Sequence, residues 1–349
     1  MIVLAMVGRF VPRFKISQEQ RMCARTLLFC IAVLMLNWVA KAQSIDEVHV
    51  SFPGTSATPP GSETHGPVDA MAPPFRVNVN LVLVPVTVTD SLGRPVIALS
   101  QQDFTVYEGD KPQEIRYFME EQAPISIAVL LDVSKSMSDK IDSERAAIVE
   151  FCNNANPDDE YFAITFSDQP RLLAGPTQAI DDMERRLTAV EPGGPTAMLD
   201  AIYLAEFKLR SARYRRKAII IISDGGDNAS HYTLREIKSL IQESDAQIYA
   251  IGLFDTFFVN TLEERFGKKW LSEITDRTGG RTVTVDNRAK LPQAAAAISR
   301  EVRNQYVLGY IPVTEGDGRW RKIKVRVSSS AVKEHIQASY KEGYMAARK

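Results

Sequence analysis

The rhythm of apolar positions changes twice along this chain. From Arg76 to Thr89 (RVNVNLVLVPVTVT) apolar residues alternate with others, Val77, Val79, Leu81 and Leu83 on one face, then Val84, Val86 and Val88 on the other. Alternation predicts a half-buried strand, and the change of phase predicts a bulge or break near Pro85. Strand-like pieces follow at Phe104 to Tyr107 and Ile115 to Phe118, and the same character returns at Tyr306 to Ile311, Trp320 to Val327 and Ile336 to Ala338. Neither group supplies enough strands for a stable core by itself, so the two are expected to pair as one small β-sandwich-like domain.

Between them the runs become continuously apolar or β-branched: Ile125 to Leu131 (ISIAVLL), Tyr161 to Phe166, Ala218 to Ile222 (AIIII), Ile248 to Ile251 and Thr282 to Val285. Helical periodicity lies between or beside them, over residues 139–153, 178–189, 197–211, 233–243, 261–277 and 288–304. Strands that are apolar on both faces and alternate with helices predict an α/β fold, a doubly wound, mostly parallel sheet with helices on both sides. The expected organisation is therefore an α/β domain at 121–304 inserted between two parts of a β domain, 75–120 and 305–344.

The first 74 residues have another character. Leu27 to Val39 (LLFCIAVLMLNWV) is an apolar core preceded by Arg21 and Arg25 and followed by Ala40-Lys41-Ala42, the pattern of a cleaved signal peptide over 1–42 with Gln43 as the mature start. A retained signal anchor is the alternative, against which stands the run's shortness beside the roughly 20 apolar residues of a membrane span. Met22 is the more usual start for such a leader than Met1. Residues 43–74 are rich in Pro, Ser, Thr and Gly without a period, which predicts a flexible linker.

Composition then narrows the function. The chain is 45% hydrophobic and 24% charged, an ordinary globular balance. Loss of the leader would move the formal charge from −1 to −6, which disfavours a nucleic acid as partner. Lys322, Lys324 and Arg326 alternate with Ile323, Val325 and Val327, which reads as the solvated face of a half-buried strand. Of the three cysteines two lie in the leader, so Cys152 stands alone and no intramolecular disulfide is expected in the mature chain.

Parallel sheets place their chemistry at the C-terminal ends of the strands. After ISIAVLL comes Asp132-Val133-Ser134-Lys135-Ser136; after AIIII comes Ser223-Asp224-Gly225; a third loop, Gly193-Gly194-Pro195-Thr196, precedes a helix. Residues two apart in an extended loop project to one side, so Asp132, Ser134 and Ser136 can aim oxygens at one locus. Two carboxylates with three hydroxyls suit a hard cation, Mg²⁺ or Mn²⁺, that keeps a position for an outside ligand. Helix capping by Ser136, Ser138 or Thr196 and a turn at Asp224 are the structural alternatives. Asp227 reads as a solvent-facing loop acid.

This arrangement resembles the metal-ion-dependent adhesion site of von Willebrand factor type A domains, in which Asp-x-Ser-x-Ser follows the first sheet strand, a Thr lies in the second loop and an Asp in the third. The resemblance covers roughly Pro124 to Arg303 and fills all five positions. It implies a Rossmann-like fold, metal contacts through Ser134, Ser136 and Thr196, and Asp132 and Asp224 acting directly or through water. Gly279-Gly280-Arg281 and the flanking β segments are similar to exported bacterial proteins of the related type. The function implied is a metal-dependent protein-binding module outside the cytoplasm, in the periplasm, at the cell surface or secreted, whose partner supplies an Asp or Glu carboxylate to the ion.

No catalytic motif competes with it. His49, His65, His231 and His335 show no metal-ligand spacing, and there is no nucleophile elbow, phosphate-binding loop or His-Glu-x-x-His. Cys152 sits in an apolar helical stretch and reads as a packed thiol. The alternatives are a metal-assisted hydrolase, which would need a general base near the ion, and an assembly protein whose metal only stabilises the loops.

Overall fold

The computed structural model describes residues 81–154, 156–254, 262–313, 316–328 and 336–347. The expected signal peptide and linker, with residues 75–80, lie outside the described residues. The chain enters through β1 (Val82–Thr89), β2 (Phe104–Glu108), β3 (Lys111–Gln113) and β4 (Ile115–Glu121). It then builds β5 (Ser126–Asp132), α1 (Ile141–Asn153), β6 (Glu160–Phe166), β7 (Pro170–Thr177), α2 (Ile180–Thr188), α3 (Met198–Leu209) and β8 (Lys217–Ser223). There follow α4 (Leu234–Glu243), β9 (Gln247–Leu253), α5 (Leu262–Thr278), β10 (Thr282–Val285) and α6 (Leu291–Arg303). The chain leaves through β11 (Gln305–Tyr310), β12 (Trp320–Val327), β13 (Gln337–Tyr340) and β14 (Gly343–Met345).

The middle segment forms a six-stranded sheet in the order β10-β9-β8-β5-β6-β7, parallel except where β7 runs against β6. Every residue of β5, β6 and β9 is buried, because helices cover both faces. Ile127, Val129 and Leu131 pack with residues of α1, α2 and α6. The alternate positions Ala128 and Leu130 pack with residues of α3, α4 and α5. The fold class is the one read from the sequence, a doubly wound α/β layer accompanied by antiparallel sheets.

The flanking strands interleave. One sheet has the order β13-β1-β11-β4 and the other β14-β12-β2-β3, so strands from before and after the α/β layer are hydrogen-bonded neighbours in both. Val84, Val86, Val88, Phe104, Val106, Tyr306, Leu308, Ile323 and Val325 form their shared core. Phe104 lies at its centre, its ring 5.1 Å from Tyr306 and 5.7 Å from Phe118.

Two local expectations fail. β1 passes Pro85 without a bulge, its register with β11 continuous from Val82↔Tyr310 to Val86↔Tyr306. The change of phase arises because Val84, Val86 and Val88 face the sandwich core, whereas Leu83 is an exposed apolar residue on the other face. The pairing of β1 with β13 begins only at Val86, one residue beyond the missing N–H of Pro85. The antiparallel edge strand β7 (PRLLAGPT) was not anticipated, since an edge strand needs only part of an apolar face and Leu172 is itself exposed.

Candidate functional site

β5 and β8 are adjacent and parallel, with Leu131 opposite Ile222, so Asp132 and Ser223-Asp224 emerge side by side at the same end of the sheet. The Asp132 carboxylate is fully buried and fastened at both oxygens. One accepts from the Ser134 amide at 3.0 Å, the other from the Ser223 hydroxyl at 2.5 Å. Ser134 follows in extended conformation, and its Oγ lies 3.1 Å from Ser136 Oγ.

The second loop is stitched to the first by Gly193 N donating to the Val133 carbonyl (2.7 Å) and Lys135 N to the Gly194 carbonyl (3.0 Å). It is stitched to the third through Thr196, whose amide donates to Asn228 Oδ1 (2.9 Å) and whose carbonyl accepts from the Asn228 and Ala229 amides. Asp224, 8% exposed, lies on the third loop with Oδ2 at 3.6 Å from Lys140 Nζ. The loop passes so close to α5 that a Cβ on Gly225, at φ +80°, would sit 2.8 Å from the Gly267 carbonyl carbon, so only glycine fits. All three loops, and with them all five predicted residues, are gathered at this sheet end.

The capping alternatives do not describe these hydroxyls. The residue capping α1 is Lys140, without a side-chain bond, and the Ser138 hydroxyl donates to the Lys135 carbonyl instead. The cap position of α3 is Ala197; its free amides are met from the third loop, Leu199 N by Asp227 Oδ2 at 2.8 Å and Asp200 N by Ser230 Oγ at 3.2 Å. Asp227 is thus a half-buried capping acid and not the solvent-facing loop residue expected. The Ser134, Ser136 and Thr196 hydroxyls make no helix-capping hydrogen bond, although Ser134 stands at the start of a short 3-10 turn, Lys135–Met137, and caps it through its carbonyl alone.

The charges here are crowded. Burial, then the nearby Asp224 carboxylate, push Asp132 up to about 6, against the pull of its hydrogen bonds. Glu144, in the first turn of α1, is fully buried and neither carboxylate oxygen has a hydrogen-bond partner. Burial first and the Asp132 charge next raise it well above the usual carboxylate range. Sequence reasoning passed over both Glu144 and Lys140. Glu144 shares a helix face with Ala147, Ile148, Phe151 and Cys152, so an acid on the apolar stripe was the available signal.

A cation would fit this donor set. Among the described residues no three His, Cys, Asp or Glu side chains converge on one point, so an ion at this edge must draw on hydroxyls as well as carboxylates. The Asp132 and Asp224 carboxylates stand close enough to oppose each other's charge, and among the described residues Lys140 is the cation paired with Asp224.

Other sequence features are structural. Cys152 is buried in the core and its thiol is pushed up to about 12 by burial. His231 places Nδ1 2.9 Å from Asp200 Oδ2, and the other three histidines lie outside the described residues. Lys322, Lys324 and Arg326 line the exposed face of β12, with Arg326 over the Tyr107 ring at 5.2 Å. No helix among the described residues is long and apolar enough to cross a membrane.

A parallel sheet wrapped on both faces, with three loops meeting at one edge, defines the class. Residues 127–226 match the family profile of the von Willebrand factor type A domain. A search of curated proteins gave no match. Among solved structures, proximal thread matrix protein 1 from the mussel byssus aligns at 20% identity and TM-score 0.44, over 56% of this chain and 49% of that one. The chain thus spans about half the length of the mussel protein, which has also been solved with zinc in its MIDAS motif. A von Willebrand factor type A protein from Catenulispora acidiphila aligns at 11% identity and TM-score 0.45, over 78% and 74% of the two chains. BatB from Bacteroides thetaiotaomicron aligns at 19% identity and TM-score 0.42, over 52% and 100%.

Proposed function

We propose that this chain is an exported, metal-dependent protein-binding module. In this reading Asp132, Ser134, Ser136, Thr196 and Asp224 hold Mg²⁺ or Mn²⁺, directly or through water. A carboxylate from a protein partner completes the shell. The observation that carries it is the release of the Ser134, Ser136 and Thr196 hydroxyls from helix capping at an edge where Asp132 and Asp224 are crowded together. Two carboxylates neutralise a divalent ion, and neutral hydroxyls leave it able to attract an anionic ligand. Export rests on the apolar run Leu27 to Val39 followed by Ala40-Lys41-Ala42.

The test is capture of a partner by the wild-type chain and by Asp132→Ala, each in Mg²⁺ and in EDTA. Capture is expected from the wild-type chain in Mg²⁺ alone. Equal capture by Asp132→Ala in EDTA would place recognition on another surface. Turnover in a phosphoester and peptide screen, abolished by the same substitution, would replace this reading by the hydrolase. A chain that loses thermal stability in EDTA yet keeps its partner would have a metal that only supports the loops.

A further inference from the structure

Lys140 stands at the start of α1, eight residues after Asp132, and turns its ammonium back to Asp224, with 22% of the lysine and 11% of the aspartate side chain exposed. Among the described residues it is the cation paired with Asp224, and neither Asp132 nor Glu144 forms an ion pair. An ammonium and a divalent ion both seek the Asp224 oxygens. At the few ångströms that separate them they would repel each other strongly at a half-desolvated edge.

Resting on the cation-site reading above, we propose that Lys140 is a built-in counter-cation: it neutralises Asp224 while the metal is away, must be displaced when the metal arrives, and so sets the affinity of the site. The side chain has somewhere to go. Glu144 is four residues further along the same helix, a spacing that brings lysine and glutamate together on one face, and both of its buried oxygens are without partners. With 22% of its side chain already exposed, the released ammonium can also turn to solvent. Lys135, between the two motif serines, differs: its side chain is exposed and it enters the loop network through its backbone amide.

Mg²⁺ binding to the full chain at fixed ionic strength, followed by titration calorimetry, tests this. Lys140→Met and Lys140→Gln, both neutral, should tighten Mg²⁺ binding about tenfold, the scale of one removed charge at this distance. Lys140→Arg, which keeps the charge, should stay near the wild type, and Lys135→Met should change binding far less than the neutral variants. A near-ultraviolet dichroism spectrum shows whether each variant has kept its packing, and either neutral variant suffices. If the wild type binds Mg²⁺ but the neutral variants bind no more tightly, Lys140 is no counter-cation while the cation site stands. Equal tightening by Lys135→Met would reduce the effect to a general surface field and overturn the proposal. If neither wild type nor variants bind Mg²⁺ or Mn²⁺ up to about 10 mM, beyond the weakest oxygen-ligand sites, the cation-site reading fails and the inference falls with it.

Discussion

The two ends of the six-stranded sheet use the same kinds of residue in opposite ways. At the end where β5, β6 and β8 begin, the acids are hydrogen-bonded or face guanidinium groups, although Arg216 Nε and Arg303 Nε are buried without a hydrogen-bond partner. Asp159 accepts from the Ile125 and Asn156 amides and pairs with Arg303 at 2.7 Å. Glu160 Oε2 accepts from the Ser126 hydroxyl at 2.7 Å and the Arg213 amide at 3.0 Å. Arg216 reaches the Ala123 and Val302 carbonyls and lies 3.6 Å from Glu121. At the other end Asp132, like Glu160, has only neutral donors, Asp224 has the Gly226 amide at 3.4 Å and Lys140 at 3.6 Å, and neither oxygen of Glu144 has a hydrogen-bond partner. Stability alone selects for the first arrangement. Like carboxylates gathered with one paired lysine are what the proposed cation would offset at the second.

The sharpest way to break that contrast is to unmatch the matched end. Arg303→Met strands the buried Asp159 carboxylate and is expected to cost about 3–5 kcal/mol in denaturant unfolding. At the opposite end Asp132→Ala should cost less, about 1–2 kcal/mol, because relief of a buried charge that Asp224 opposes offsets part of the loss when the Ser134 amide and the Ser223 hydroxyl are left without their acceptor. The same substitution should weaken Mg²⁺ binding at least about 100-fold in a calorimetric titration. A loss of stability as large as that of Arg303→Met would make Asp132 a structural acid and dissolve the difference between the two ends.

Glu206 is the exception that sharpens the comparison. It lies on α3 near the matched end, accepts from the Ser244 hydroxyl at 2.7 Å, and leaves its other oxygen buried and unpaired. Burial raises it to about 7 against the pull of Ser244 and Lys341. Because the folded value lies above the unfolded one, the folded chain holds this proton more tightly. Its contribution is favourable below about pH 4.5 and is lost as pH rises towards 7. Stability should therefore fall across that window by up to about 3 kcal/mol. Glu206→Gln should flatten the slope and be the more stable form at pH 8, as unfolding curves at the two pH values would reveal.

What was legible in the sequence follows from what is local. The placement of Asp132, Ser134, Ser136 and Asp224 at one sheet end could be anticipated because the apolar runs before them show where strands end and a parallel sheet puts those ends together. The interleaving of the outer strands followed from each half being too short for a core. Lys140 was hidden because its partner Asp224 lies in another loop, 84 residues away in sequence. Glu144 was visible as an acid on an apolar stripe, but its lack of partners is a fact of packing. Asp227 was misjudged because a free amide at the start of α3 is met from a distant loop and not from the chain's own preceding residues.

The smallest expected effects separate cap from ligand on that same pair of loops. Asp227 takes the Leu199 amide at 2.8 Å and the Ser230 hydroxyl at 2.7 Å, so it holds the start of the helix that follows Thr196. Asp227→Ala should cost about 1 kcal/mol, the usual worth of a lost helix cap. Thr196 contributes its backbone to the loop network and its hydroxyl to no cap, so Thr196→Val, which keeps the backbone and the shape, should alter stability by less than about 0.5 kcal/mol. Yet it should weaken Mg²⁺ binding measurably, because it deletes one proposed ligand. If Thr196→Val loses stability as Asp227→Ala does and binds Mg²⁺ like the wild type, the hydroxyl belongs to the scaffold, and the cation at this edge must be held by Asp132, Asp224 and the two serines without it.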